Sequence, residues 1–206
     1  MQSSVPVFTK GLAKGLTIYF VRHGETDWNA EQRYQGQTDI PLNAKGRGQA
    51  ARNGRCLLEQ VGRAPPMDFV ASPLLRTVET MSIVRQAMGL NPLATPLDDR
   101  LKEQHFGHWE GQRWVDLPTT DPVGFAARQA DIWGWLPTGG ENYQMLTDRV
   151  VAWLATLKRD TIVVSHGNVS RTLRGIVLGL DHSAIPKLDC PQDKVLVLKD
   201  RTAVWI

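Results

Sequence analysis

The stretch Leu16-Thr-Ile-Tyr-Phe-Val-Arg-His-Gly24 decides the fold class of this chain. Its first six residues lack the apolar and polar alternation of a half-exposed strand, which is typical of a strand buried on both faces. A second segment of the same kind, Thr161-Ile-Val-Val164, runs on into Ser165-His166-Gly167. Because such strands occur in sheets covered by helices on each side, the two segments predict a mostly parallel central sheet.

Weaker strand and helix patterns fill the rest of this layout. Further strand candidates are 69–71, 93–95, 195–198 and 203–206, the last two as an edge hairpin. Amphipathic spacing predicts helices over 43–60 and over the apolar stripes that begin at Leu74, Leu146 and Val169. Ser72 and Pro73 are expected to supply the N-cap and first position of the Leu74 helix, which Gly89 ends. The expected fold is α/β, a three-layer sandwich with helices on both faces of the sheet.

Length, composition and charge limit the function classes. The chain has 206 residues, 42% hydrophobic and 22% charged, which predicts one domain over 1–206 with a disordered lead-in over 1–15. An insertion over about 103–140 is rich in Trp, Gly and Pro. The formal net charge of +3 is not gathered into a basic run, so no nucleic-acid partner is expected. With no apparent membrane span or secretory signal, and no metal-ligand spacing at Cys56 and Cys190, we expect a cytoplasmic protein without a membrane partner.

A histidine and a glycine follow each of the two strong strands, at His23 and His166. Ligands of open parallel sheets bind outside the carboxyl ends of the strands, so both imidazoles are expected to face one crevice. Arg22 adjoins His23, and Arg76 stands just beyond the candidate strand 69–71. A guanidinium stays charged and can bind two phosphate oxygens at once, so the cluster predicts a site for a phosphate dianion. The alternative is that each histidine only satisfies a local hydrogen bond at its strand end.

Cleavage of a phosphate ester also requires a proton donor for the leaving oxygen. Glu103, His105 and Glu110 lie close together in sequence after the candidate strand 93–95, and Glu25 is a further candidate that could instead be structural. The nucleophile is expected to be a neutral imidazole, since the neighbouring arginines disfavour imidazolium. The other ring nitrogen of His23 is then expected to donate to a backbone carbonyl.

Several short blocks carry a family resemblance when they are taken together and in order. They are Arg22-His-Gly-Glu-Thr-Asp-Trp-Asn29, Ser72-Pro-Leu-Leu-Arg76, Leu101-Lys-Glu103, Phe106-Gly-His-Trp-Glu-Gly111, Gly139-Gly-Glu-Asn142 and Ser165-His-Gly-Asn168. In this order they resemble the histidine phosphatase superfamily, in its phosphoglycerate-mutase-like branch. The resemblance covers the chain from about residue 16 to the last strand.

The resemblance implies a catalytic mechanism and a set of site residues. It implies that His23 takes the phosphoryl group as a phosphohistidine, which water then cleaves, and that no metal or other cofactor is required. It implies that Glu103 is the proton donor. The phosphate pocket would be lined by Arg22, Arg76 and His166, with His166 donating to the phosphate. Further substrate contacts are implied at Asn29, Gln35, Gly36, Gly167 and Asn168.

The expected partner is a small-molecule phosphate ester. The sequence leaves open whether the phosphoryl group is passed to water, as in a phosphatase, or to a second hydroxyl, as in a mutase. The insertion is short for a mutase, and the chain shows no counterpart to the paired arginines with which mutases hold a phosphoglycerate carboxylate. The tryptophans of the insertion are expected to wall an apolar pocket, with about half of them serving packing alone; they are Trp109, Trp114, Trp133 and Trp135. We predict a phosphomonoester hydrolase. The alternatives are a phosphoglycerate mutase and a non-catalytic binder of phosphorylated ligands, and a homodimer through the edge strand is left open.

Overall fold

The computed structural model describes residues 12–63 and 65–206 and contains a five-stranded sheet in the order β2-β3-β1-β4-β5. The strands are β1 (Thr17–Arg22), β2 (Asp68–Ala71), β3 (Thr161–Ser165), β4 (Val195–Lys199) and β5 (Thr202–Trp205). β3 pairs in parallel with both β1 and β2, and β4 pairs antiparallel with both β1 and β5. Only β4 therefore runs against the other strands in this sheet, so the mostly parallel sheet and the edge hairpin are confirmed.

Helices cover both faces of the sheet. They are α1 (Asp27–Ala30), α2 (Ala44–Val61), α3 (Leu75–Ala87), α4 (Leu117–Thr120), α5 (Pro122–Ala130), α6 (Tyr143–Leu154) and α7 (Gly167–Leu178). Short 3-10 helices span Asp99–Leu101, Gly107–Trp109, Trp114–Asp116 and Ile185–Lys187.

Alternating side chains of β1 divide the apolar core into two layers. Ile18 and Phe20 pack in a cluster with residues of α6 and α7. Val21 packs on the opposite face with residues of α2 and α3. The predicted three-layer α/β sandwich is confirmed.

The predicted strand at 93–95 is wrong. These residues lie in a loop in which Leu93 is 87% exposed, and Leu97 instead makes an isolated parallel bridge to Ala71. Pro92 and Pro96 flank the segment and have no N–H to donate to a strand ladder. An apolar run this short, interrupted on both sides by proline, lacks the hydrogen-bonding groups that a paired strand needs.

The predicted start of α3 is also wrong. The N-cap is Leu74, which makes no side-chain capping bond, so Ser72 and Pro73 precede the helix. Ser72 is fully buried, and its hydroxyl is hydrogen-bonded to His166 at 2.8 Å. A serine that the sequence assigns to helix capping is therefore part of the site. The end of α3 is as predicted, with Gly89 at φ +74° directly after the C-cap.

Helix α2 lies directly against the backbone that follows β1. A Cβ atom at Gly46 would stand 2.1 Å from the carbonyl oxygen of Glu25, and one at Gly24 would stand 2.2 Å from that of Gly46. The Glu25 carboxylate accepts from Asn43 and Lys45 at the start of α2. Of the two roles considered for Glu25, the contacts show the structural one.

The insertion has an aromatic core of its own. Phe106, Trp109 and Leu117 are its buried members, and Tyr34, Trp114, Phe125 and Trp135 pack against them. Trp133 instead packs against the α6 and α7 layer, where it stacks on Tyr143. All four tryptophans of the insertion therefore serve packing, rather than about half of them.

Two further expectations concern the N-terminal lead-in and a membrane-spanning helix. The lead-in predicted over 1–15 falls largely outside the described residues. Within its described part, Leu12 packs against the α6 and α7 layer and the Gly15 amide donates to Asp200. In the part of the chain that the structure covers, no helix combines the length and apolar character needed to cross a bilayer.

Candidate active site

The two central strands deliver the two histidines to one place. β1 and β3 are neighbours with Arg22 opposite Ser165, and each strand continues into a histidine. The His23 amide donates to the Ser165 carbonyl at 2.9 Å, which extends the ladder by one residue. The ring centroids of His23 and His166 lie 5.2 Å apart in an edge-on arrangement. This separation is close to the spacing of about 4.8 Å between neighbouring strands.

A cavity of about 250 Å³ opens beside His23 at the carboxyl ends of these strands. The residues expected at the site that line it are Arg22, His23, Asn29, Gln35, Gly36, Arg76, Glu103, Gly167 and Asn168. His166 is adjacent to His23 but is not part of the cavity wall. The structure thus gathers segments from β1, α1, α3, the insertion and α7 around one small space.

His23 has the protonation state of a nucleophile. Its Nδ1 lies 2.8 Å from the Gly24 carbonyl oxygen, which can only accept, so Nδ1 carries the hydrogen and the lone pair is on Nε2. Burial, and then the charges of Arg76 and Arg22, lower the pKa of His23 well below its usual value. The imidazole is therefore neutral near neutral pH and has one nitrogen free to attack.

The guanidiniums of Arg22 and Arg76 flank this histidine. Arg22 Nη1 donates to the Cys190 carbonyl at 2.6 Å, while Arg76 donates to the carbonyls of Gly36 and Thr38 at 2.6 and 2.8 Å. Within the described residues neither has a carboxylate within 4.0 Å, and the Nε atoms of both are buried without a hydrogen-bond partner. Burial lowers the pKa of Arg76 to about 10, so it stays charged at neutral pH. The two side chains hold positive charge that an anion can neutralise.

The structure places His166 beside His23, and its implied donation to the phosphate stays a prediction. Its Nε2 is hydrogen-bonded to the Ser72 hydroxyl at 2.8 Å, and its Nδ1 is buried without a partner among the described residues. Burial, and then the charges of Arg76 and of His23, lower the pKa of His166 well below its usual value. The ring is therefore neutral near neutral pH and is held by its hydrogen bond to Ser72.

Glu103 is the one carboxyl group on the cavity wall among the described residues. Both of its carboxylate oxygens lie 3.3 Å from the Asn168 amide, at the N-terminus of α7, and Oε1 also accepts from Gln104 N at 2.9 Å. The other candidate donors are used elsewhere. Glu110 binds amides of the loop 36–38, and His105 Nδ1 accepts from the Gly107 amide.

Sequence reasoning missed much of the remaining wall, which consists of Arg33, Tyr34, Phe106, Arg128, Tyr143, Arg171 and Pro186. Arg171 and Tyr143 both donate to Asn168 Oδ1 at 2.8 Å. The i, i+3 spacing of Asn168 and Arg171 on α7 is a signal that could have identified Arg171. Arg128 comes from α5 in the insertion, where no pattern in the sequence marks it.

The character of the wall corrects one expectation. Among the described residues no tryptophan lines the cavity, so the apolar, tryptophan-walled pocket is wrong. The reason is that the tryptophans fill the cores behind the wall. Besides Arg22 and Arg76, the wall contains Arg33, Arg128 and Arg171. Separately, the described residues contain no cluster of three or more His, Cys, Asp or Glu side chains suited to a metal ion.

Known proteins share both the sequence pattern and the fold of this chain. The family model described as "Histidine phosphatase superfamily (branch 1)" matches residues 18–205. A probable phosphoglycerate mutase GpmB from Salmonella paratyphi C is 38% identical over 172 residues, which cover 80% of this chain and 76% of that protein.

Two solved structures show the same fold. One is described as a putative alpha-ribazole-5'-P phosphatase from Escherichia coli K-12, with a TM-score of 0.78 and 27% identity over 93% of this chain and 94% of that one. The other is a mycobacterial glucosyl-3-phosphoglycerate phosphatase complexed with VO3, with a TM-score of 0.75 and 27% identity over 93% and 96% of the two chains.

Proposed function

Because this chain belongs to the histidine phosphatase superfamily, we propose that it is a metal-independent phosphomonoester hydrolase that forms a phosphohistidine on His23. One observation carries the proposal. The Nδ1 hydrogen of His23 is held by the Gly24 carbonyl, which leaves the Nε2 lone pair on a cavity wall that also contains Arg22 and Arg76. A neutral nucleophile beside two arginine cations suits attack on an anionic phosphoryl group.

The first step transfers the phosphoryl group to the enzyme. A bond forms between His23 Nε2 and phosphorus while the bond from phosphorus to the ester oxygen breaks. Glu103 gives its proton to the departing oxygen, which leaves as an alcohol. Arg22 and Arg76 stabilise the charge on the transferred oxygens, and the Gly24 carbonyl stabilises the positive charge that the attacking imidazole acquires.

The second step restores the enzyme. Glu103, now a carboxylate, takes a proton from water as the water oxygen attacks phosphorus. The bond between phosphorus and Nε2 breaks, orthophosphate leaves, and His23 returns to its neutral form. A mutase shares the first step but passes the phosphoryl group to a second hydroxyl instead of to water. The compact insertion, and the two phosphatases among the similar structures, support hydrolysis for this chain.

The charges on the wall support a proposal for the substrate class. Among the described residues, five arginines and one glutamate line the cavity, so a bound phosphate dianion leaves positive charge uncompensated. Among the described residues Arg128 has no carboxylate partner, and its guanidinium lies over the ring of Trp114 at 5.0 Å. We propose a substrate that carries a second anionic group. Glucosyl-3-phosphoglycerate, named in one of the similar structures, is an ester of this kind.

The first test is hydrolysis of p-nitrophenyl phosphate by the full chain, with and without EDTA. We expect turnover that resists the chelator and falls by on the order of a thousandfold or more in His23→Asn, because the nucleophile is removed. His108→Gln is the matched control, since His108 is half exposed and bonded to Asp121 away from the cavity. A radiolabelled ester quenched in base should leave label on the wild-type chain. Full activity in His23→Asn would refute the proposal, and conversion of phosphoglycerate isomers without release of orthophosphate would favour the mutase.

A further inference from the structure

Four donors, three of them in the loop 36–38, occupy the carboxylate of Glu110. Its Oε1 accepts from the Gln37 amide at 3.0 Å and from the Phe106 amide at 3.1 Å. Its Oε2 accepts from the Thr38 amide at 3.1 Å and from the Thr38 hydroxyl at 2.6 Å. The side chain is 12% exposed. Four donors converging on one shielded carboxylate fix the position of the backbone that carries them.

The same stretch of backbone holds Arg76 from its other side. The Gly36 carbonyl accepts from Arg76 Nη2 at 2.6 Å, and the Thr38 carbonyl accepts from Nη1 at 2.8 Å. The Gly36 carbonyl and the Gln37 amide belong to one peptide group. That peptide therefore connects the Arg76 guanidinium directly to the Glu110 carboxylate, and such chains of hydrogen bonds strengthen one another.

The charge of Arg76 is stabilised mainly by these two backbone carbonyls. It is fully buried, and it has no ion pair among the described residues. A buried charge without such contacts is strongly unfavourable, so the orientation of the Gly36 peptide sets that of the guanidinium. Gly36 itself has φ +52°, and a Cβ there would stand 1.9 Å from Glu110 Oε1. The left-handed backbone and the close approach of the carboxylate both require glycine at this position.

We propose that Glu110 is a positioning residue for the phosphate-binding arginine, acting on Arg76 through the Gly36–Gln37 peptide. It does not touch the substrate. It links the insertion to the phosphate pocket, so that Arg76 presents its remaining donors to the ligand only when the insertion is in place. The expected effect of Glu110 on catalysis rests on the proposed function. The expected effect of Glu110 on phosphate binding does not, because binding can be measured without turnover.

The test compares Glu110→Gln with Asp121→Asn by calorimetric titration of the full chain with orthophosphate. In either orientation of the introduced amide, its NH₂ group would face backbone N–H donors, so Glu110→Gln should weaken phosphate binding by about tenfold. Asp121 is the matched control because it also accepts hydrogen bonds within the insertion, from Trp109 and Gly124, but does not contact the loop 36–38. Asp121→Asn should leave phosphate affinity within about twofold.

A double-mutant cycle separates positioning from general structural damage. In an Arg76→Lys background the guanidinium is gone, so Glu110→Gln should lower kcat/KM for p-nitrophenyl phosphate by much less than it does in the wild type. If Glu110→Gln does not fold, Thr38→Val removes only the 2.6 Å hydroxyl bond and should give a smaller loss in the same direction. An unchanged phosphate affinity, an equal loss in Asp121→Asn, or an undiminished effect in Arg76→Lys would overturn the inference. Phosphate binding with no hydrolysis would instead refute the proposed function alone.

Discussion

Burial keeps both histidines of the site neutral, which has a consequence for the stability of the protein. The pKa values of His23 and His166 lie well below the ordinary 6.5, first because of burial and then because of nearby arginines. Below pH 6.5 the unfolded chain binds protons that the folded chain does not. The free energy of unfolding should therefore be highest above this pH and fall as the pH drops below it.

The expected slope is about 1.4 kcal/mol per pH unit for each histidine once the pH is well below 6.5. Urea unfolding at pH 7.5 and at pH 5.5 measures it. The pKa of Asp121 is lowered to about 2, so this group also makes the free energy of unfolding fall as the pH drops, but only at more acidic pH. His23→Gln should flatten the dependence by about half, and identical slopes in the wild type and in this variant would contradict the assignment.

Individual residues of the site differ in how far the sequence predicts them. Arg22 is the last residue of a recognisable strand and His23 follows it, so their backbone position is enough to place them. Ser72 and Arg128 are different, because their roles depend on contacts between segments far apart in the chain. His166 shows the limit most clearly. Its strand end is predictable, but its hydrogen bond to Ser72 depends on how the segment before α3 lies against β3, where the Ser72 amide donates to the Val164 carbonyl.

At the scale of elements, α2 offers a matched pair of glycines. Gly46 lies against the Glu25 carbonyl, whereas a Cβ at Gly48 would meet nothing within 4 Å. Gly46→Ala should lower the free energy of unfolding by about 1–3 kcal/mol, because the helix must move off the loop after β1. Gly48→Ala should raise it by about 0.5–1 kcal/mol, because alanine loses less backbone entropy in a helix.

Urea unfolding and kcat/KM for p-nitrophenyl phosphate distinguish the two variants. We expect Gly46→Ala to lower kcat/KM as well, since the displaced loop carries Gly24 and therefore the hydrogen bond to His23 Nδ1. Gly48→Ala should leave kcat/KM unchanged. Equal stability changes in the two variants would show that the contact between α2 and the loop contributes nothing.

Strands buried on both faces were the most predictable elements, because their apolar runs have no other stable environment. β1 and β3 match their predicted ranges closely. The run 93–95 is hydrophobic but forms no strand, because Pro92 and Pro96 lack the N–H groups that a strand ladder needs. Helix α3 begins after Ser72, because this serine is buried and hydrogen-bonded to His166 instead of capping the helix.

At the scale of the whole molecule, the cavity lies between the sheet and an insertion with a separate aromatic core. Arg128 on the insertion and Arg171 on α7 add their positive charge to that of Arg22 and Arg76 on the cavity wall. We therefore expect kcat/KM to be higher for 3-phosphoglycerate than for glycerol 3-phosphate, which has a neutral hydroxymethyl group in place of the carboxylate. Arg128→Gln should reduce this ratio by about tenfold, the usual effect of removing a charged hydrogen-bond partner.

Arg159→Gln is the control for that substitution. It removes the same charge from an exposed side chain near the start of β3, at the opposite end of the sheet from the cavity. Its substrate ratio should equal that of the wild type. If Arg128→Gln leaves the ratio unchanged while both esters are hydrolysed, the second anion subsite is refuted and the hydrolase assignment stands.

The two histidines stand at the ends of neighbouring strands, and this placement limits which parts of the site can change during evolution. The spacing of their backbones is set by the ladder between β1 and β3, which uses backbone atoms alone. Side-chain changes over successive generations can therefore reshape the insertion and its arginines without altering the distance between the two strand ends that carry the histidines. New substrate preferences can arise on such a scaffold by drift in its outer parts, while the chemistry is inherited with the backbone.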